Sequence, residues 1–162
     1  MKRGLSLFFM LAAAPALAFD ANGVKLGGNE TDVKKAFPSA LCRELQWKSD
    51  AADRRCDDGK ISFGGAKARI TVYLKAGVIE AFNVGFETRE LERVAAHAKA
   101  RYGAPLSEKT EVFAGKGEPR KVFKMRWDKG SEHAMLTAQE KQKRGELEAW
   151  RGKFDSEIYR VR

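Results

Sequence analysis

Apolar and polar residues alternate most cleanly between Arg69 and Lys75, where Ile70, Val72 and Leu74 fall on one side and Thr71 and Tyr73 on the other. A period of two is that of a half-buried strand. Ala76-Gly77 supplies a turn, and Val78 to Phe86 then predicts a second strand with Phe82, Val84 and Phe86 on one face. Upstream, Asn29 to Asp32 offers capping chemistry ahead of Val33, Ala36 and Phe37, closed by Pro38, which predicts a short helix. Leu41 to Trp47 and Ile61 to Phe63 read as further strands. From Thr88, read as an N-cap, the period lengthens: Leu91, Val94, Ala95, Ala98 and Tyr102 recur at helical spacing until Gly103 and Pro105 end the run. Strands return over Ser107 to Phe113, Lys121 to Trp127 and Glu132 to Gln139, with a polar hairpin through Gly115 and Gly117 and a turn at Asp128-Lys129-Gly130. Phe123, Met125 and Trp127 are set to meet Ala134, Leu136 and Ala138. A charged loop from Lys141 to Gly145 precedes two shorter predicted strands, around Leu147 to Trp150 and Glu157 to Val161.

A helix followed by three or four antiparallel strands thus occurs twice. The expected fold class is α+β, built as two tandem helix-plus-antiparallel-sheet units over residues 19–87 and 88–162.

The first 18 residues stand apart. Met1-Lys2-Arg3 is followed by an uncharged, mostly apolar run with Leu7, Phe8, Phe9 and Leu11, and Ala16-Leu17-Ala18 has the small-x-small form that signal peptidase reads. This predicts a secretory signal peptide over residues 1–18 and a mature chain in the periplasm; the run is too short to span a bilayer. At 43% hydrophobic and 33% charged the chain can bury a core, which excludes a disordered protein, and with no second long apolar stretch no transmembrane segment is expected in the mature chain.

Cys42 and Cys56 are an isolated pair, which in an oxidising compartment predicts a disulfide and no metal site. Closing that 15-residue loop is worth about 3 kcal/mol in the chain-entropy account. The formal charge of +9 is uneven: residues 19–87 carry 11 basic and 10 acidic side chains, residues 88–162 carry 18 and 12. With nucleic acid not expected in that compartment, a basic second half points to anionic lipid, cell-wall polysaccharide or an envelope protein.

Catalytic chemistry finds little footing. His97 and His133 are the two imidazoles, and no H-x-x-x-H, G-x-S-x-G or Walker-type loop is present. Asp53, Asp57 and Asp58 lack EF-hand spacing. No enzyme activity, metal or cofactor is therefore expected. Binding is better served, because alternation leaves each strand a second face. If the helices cover one side of the sheet, Thr71, Tyr73, Lys75, Lys124, Arg126, His133, Met135 and Thr137 point to the other. Tyr73, Lys75, Lys124, Arg126, His133 and Met135 make a basic candidate docking face with one aromatic and one methionine, residue types that interfaces favour. Trp150 is expected at the core edge.

Leu26, Gly27, Val33, Phe37 and Pro38, together with the Tyr102-Gly103-Ala104-Pro105 helix exit and the repeated order of elements, resemble the superfamily of the β-lactamase inhibitor protein and the small outer-membrane assembly lipoproteins of SmpA/OmlA type. The resemblance implies a tandem fold with an open, often concave sheet face and partners that are proteins or the envelope itself. No anchor cysteine follows Ala18, unlike the lipoprotein branch, and no inhibitor binding residue falls on a matching motif. The expected function is a soluble periplasmic binding or accessory protein that docks an envelope protein or an anionic envelope component. The alternative is a proteinaceous inhibitor of a periplasmic or extracellular hydrolase.

Overall fold

In the computed structural model, which describes residues 18–114 and 117–160, the chain opens with a small hairpin of β1 (Asp20–Ala21) and β2 (Val24–Lys25), turned by Asn22-Gly23 with both residues at positive φ. Helix α1 (Glu30–Ala36) leads into β3 (Leu41–Glu44), β4 (Arg54–Phe63), β5 (Ala66–Lys75) and β6 (Val78–Glu87). A 3₁₀ turn at Thr88–Glu90 and helix α2 (Leu91–Tyr102) lead into β7 (Ser107–Phe113), β8 (Arg120–Lys129), β9 (Glu132–Gln139) and β10 (Arg144–Arg151), and a short helix α3 (Phe154–Glu157) follows. Strands β3 to β10 form one antiparallel sheet in the order β3-β4-β5-β6-β10-β9-β8-β7. The protein is α+β. Helices α1 and α2 are each followed by four strands, and the last strand of each series, β6 and β10, pair at the centre of the sheet. Among the described residues no helix is long and apolar enough to cross a membrane.

The sequence patterns explain most of this. Asn29 and Asp32 form a capping box at α1, so two orphan N–H groups are satisfied locally. Ile70, Val72 and Ala68 of β5 lie opposite Val84, Phe82 and Phe86 of β6, and Phe123, Met125 and Trp127 lie opposite Ala138, Leu136 and Ala134. These inward rows pack with Val33 and Phe37 beside α1 and with Val94, Ala98 and Tyr102 of α2 in one core. Each large side chain so buried contributes roughly 1.5–3 kcal/mol. Phe19, fully buried, adds the N-terminal hairpin to that core, its ring edge-on to Tyr102 at 4.9 Å. Asp20, also buried, receives Arg101 Nη2 at 2.6 and 2.5 Å, while the Tyr102 hydroxyl donates to the Asp20 carbonyl.

Three sequence expectations are corrected. Glu157 to Val161 does not form a strand: residues 154–157 are helical and 158–159 a turn, because Ile158 N–H donates back to the Phe154 carbonyl; Val161 lies outside the described residues. Thr88 does not cap α2; its hydroxyl donates to the Gln142 carbonyl, a tertiary partner, and the helix starts through the 3₁₀ turn. The stretch between the cysteines is only partly loop, because β4 begins at Arg54 and pairs Cys56 directly with Cys42 on β3. The expected disulfide is present between them. Gly115 of the polar hairpin and residues 1–17 of the expected signal peptide lie outside the described residues.

Candidate functional site on the open sheet face

Antiparallel register places directly opposed residues on one face of a sheet. Across the side away from α1 and α2, one row runs Arg55, Tyr73, Ala81, Trp150, His133, Asp128, and the next Asp57, Thr71, Asn83, Glu148, Met135, Arg126. A third holds Gly85, Glu146, Thr137 and Lys124. Tyr73, Lys124, Arg126, His133 and Met135 therefore share this face, but not as one basic patch. Lys124 Nζ sits 2.5 Å from Glu111, Arg126 Nε 3.0 Å from Asp128, and His133 Nδ1 2.6 Å from the same Asp128. The face is of mixed charge, each of these basic side chains meeting an acid nearby. The pairing shows in the acids: His133 and then Arg126 hold the Asp128 carboxyl below its ordinary range, against partial burial, and Lys109 and Lys124 do the same for Glu111. Lys75 lies at the end of β5, two residues beyond Tyr73, its ammonium 3.5 Å from the Ser49 carbonyl.

The face is roofed at one end. After Gly152, at φ 55°, α3 turns the chain back over the sheet. Phe154 tilts against Tyr73 at 5.2 Å, Trp47 stacks on Tyr159 at 5.9 Å, and Trp47 Nε1 donates to the Ile158 carbonyl at 2.9 Å. Ala51, Ala52 and Ile158 are buried here with Leu45, Trp47, Tyr73 and Phe154 packed around them, a second cluster on the side opposite the main core. The loop following β3 and the C-terminal turn thus hold each other over the open face.

Under that roof lies a cavity of about 190 Å³. Its origin is one small residue. Tyr73 and Trp150 are two strands apart in the same row, about 9.5 Å at ordinary strand spacing, and Ala81 between them leaves the space between the two rings unfilled. Phe154, Ile158 and Tyr159 close the top, and Asn83 and Glu148 of the next row line the cavity as well. Asn83 Nδ2 donates to Glu148 Oε1 at 3.0 Å and reaches Glu146 Oε2 at 3.5 Å. Among the described residues no cation pairs with Glu148. Burial pushes its carboxyl above the ordinary range, the charge of Glu146 adds to this and that of Asp155 adds less, while the Asn83 hydrogen bond works in the opposite direction. Burial and the neighbouring Tyr159 hydroxyl likewise push the Tyr73 hydroxyl up.

Sequence reasoning placed Tyr73 and missed Ala81, Asn83, Glu148 and Phe154. The signal for Glu148 was available: alternation in β10 sets Glu146, Glu148 and Trp150 against the inward Leu147 and Ala149. Trp150, expected at the core edge, is 6% exposed and forms a cavity wall on the open side. His97 lies on α2, away from this face, with its ring edge-on to Phe63 at 4.7 Å. Glu30 brings a carboxylate within 4.8 Å of the sulfurs of Cys42 and Cys56, but these are bonded to one another and offer no thiolate to a metal, and the carboxylate itself is held by Arg54 Nε at 2.6 Å. No protein-family model, curated protein or solved structure matches the chain.

Proposed function

We propose that this is an exported binding protein, not an enzyme, which docks a protein of the cell envelope on the open face of its sheet. The observation that carries this reading is the roofed aromatic cavity set in a face whose cations Lys124 and Arg126 already have acid partners. An anionic polymer is held by an excess of unpaired cations, whereas a mixed-charge surface around a partly desolvated aromatic centre is the pattern of a protein interface.

Export rests on the amino-terminal pattern and the disulfide, and the fold supplies a further argument. Cleavage after Ala18 would free the amino group of Phe19, whose backbone nitrogen lies 3.2 Å from Glu132 Oε2. An amide hydrogen bond to a carboxylate would become a charged one, which is stronger. The order of a helix and four strands, twice, with the two series meeting at β6 and β10, supports the tandem-unit reading and the resemblance to the β-lactamase inhibitor protein superfamily.

The test is capture from an envelope extract by the oxidised chain of residues 19–162, in parallel with Asn83→Arg on the open face and Lys35→Glu on α1. A protein retained by the wild type and by Lys35→Glu but lost with Asn83→Arg supports the reading; if that protein is a hydrolase whose activity falls on binding, the docking is inhibition. Retention of lipid or polysaccharide alone, lost on adding salt, would refute it.

A further inference from the structure

The cavity beneath α3 has a chemistry of its own, distinct from the mixed-charge face around it. Its walls are two ring systems, Tyr73 and Trp150, with a third, Phe154, above. Two carboxylates line it, Glu148 in the sheet and the exposed Asp155 of α3; Glu148 has a neutral amide for a partner while the chain as a whole carries 31 basic against 22 acidic side chains. Every other carboxylate described on these rows of the open face has a guanidinium, imidazole or ammonium beside it: Asp57 has Arg55, Asp128 has Arg126 and His133, and Glu146 has Arg69 at 3.7 Å. A carboxylate left without a cation in a basic protein, at the base of an aromatic slot, is half of an ion pair. The slot also selects the other half. Aromatic walls favour a planar, weakly hydrated cation that can stack against them, and a guanidinium does this better than a compact ammonium.

We infer that the cavity between Tyr73 and Trp150 is a receptor for an arginine side chain presented by the docked protein, with Glu148 as its counter-ion and Asn83 holding the carboxylate in place. The inference deepens the docking reading above and rests on it for the source of the arginine. Asn83 spends its amide N–H on Glu148 Oε1, so the second carboxylate oxygen and the Asn83 carbonyl oxygen remain as acceptors for a forked donor. Ala81 sets the depth of the slot, and a longer side chain there would occupy the place of the guanidinium.

The probe is N-acetyl-arginine amide, a single positive charge on a neutral backbone, titrated into the oxidised chain while the Trp150 indole and the Asn83 side-chain amide are followed by NMR. Its uncharged citrulline analogue and N-acetyl-lysine amide serve as comparators. Expected are saturable shifts of those two groups with a millimolar dissociation constant, as suits one side chain without the rest of its protein. Affinity should fall at least tenfold in Glu148→Gln and in Ala81→Leu, and should be retained in Lys124→Gln. Equal response to citrulline, equal or tighter response to the lysine probe, or undiminished binding by folded Glu148→Gln would overturn the assignment. The two readings fail separately. A flat titration alongside protein capture that Asn83→Arg abolishes removes the arginine receptor and leaves the docking face; a normal titration alongside capture unaffected by Asn83→Arg removes the docking face and leaves the cavity without its protein source.

Discussion

Glu148 is placed where ionisation is costly, and that cost can be read from stability. Its folded carboxyl titrates above the unfolded one, through burial first and the charge of Glu146 second. A raised acid binds more protons folded than unfolded, so its contribution is fully present below the unfolded value and is lost as pH rises through the folded one. Glu148→Gln removes the ionisable group while keeping the hydrogen-bonding shape. The variant is therefore expected to melt higher than the wild type at pH 7, by roughly 1–3 °C, with no advantage at pH 4, even as it loses the arginine probe. A substitution that stabilises and disables together is the mark of a residue retained for binding. A lower melting point at pH 7 would show that Glu148 serves packing alone. His97 gives the opposite slope. Its Nε2 is buried without a hydrogen-bond partner, and burial first, then the charge of Arg101, lower its affinity for a proton. Stability from a depressed base is present above the unfolded value near 6.5 and lost as pH falls through the folded one. His97→Phe, which keeps the ring packed on Phe63, is expected to flatten the loss of melting temperature between pH 6.5 and pH 5; a parallel curve would place the acid sensitivity elsewhere.

At the scale of elements, two short segments at the margins of the sheet determine how its faces are covered. The β1–β2 hairpin closes the core through Phe19, with Lys129 4.8 Å over its ring and Glu132 on its nitrogen. A chain starting at Phe19 is expected to melt a few degrees above one that retains Ala18, and the difference should vanish in Glu132→Gln; equal melting of the two wild-type chains would show that the freed amino group adds nothing. The second segment is β3, an edge strand of four residues joined to β4 by the disulfide. Because the loop after β3 also grips the C-terminal turn through Trp47 and Ser49, loss of the bridge should loosen the roof as well as the edge. Cys42→Ser is expected to cost about 3 kcal/mol, roughly 6–12 °C in melting temperature, and to shift tryptophan emission to the red; an unchanged melt would make the bridge dispensable. These segments also mark what the sequence could express. Strands β5, β6, β8 and β9 and both longer helices were legible because each buries one face more than the other, so periodicity encodes them directly. Strand β10 follows the same rule, and Glu148 could have been read from it. The roof could not: α3 is four residues long, too short to show a period, and what places Phe154 over Tyr73 is a contact between the C-terminal turn and a loop about a hundred residues earlier. The mixed charge of the open face escaped in part for the same reason, since Lys124 meets Glu111 and His133 meets Asp128 only once register across β7, β8 and β9 is known, whereas Arg126 and Asp128 stand two apart on β8 and their pairing was open to alternation.

For the whole molecule, the sheet separates two kinds of burial. The helix side carries the main core, from the N-terminal hairpin across β4 to β10, whereas the roof side buries a small set, Ala51, Ala52 and Ile158 beside Ala81 and Trp150 of the sheet itself. Stability should therefore reside on the first side and recognition on the second, which makes them separable. A chain ending at Gly152 loses α3, the Tyr73–Phe154 contact and the Trp47–Ile158 hydrogen bond but none of the sheet's strand pairs. It is expected to keep its far-ultraviolet circular dichroism and to melt cooperatively at a reduced temperature, since the lost cluster is small beside the core. It should fail to respond to N-acetyl-arginine amide, because the slot between Tyr73 and Trp150 then opens to water and Glu148 regains solvation that weakens its attraction for a cation. Collapse of the whole fold on this truncation would mean that the C-terminal turn belongs to the core. Undiminished binding by a folded truncated chain would mean that the open face recognises its partner without the roof, and that α3 covers the aromatic row rather than completing a site.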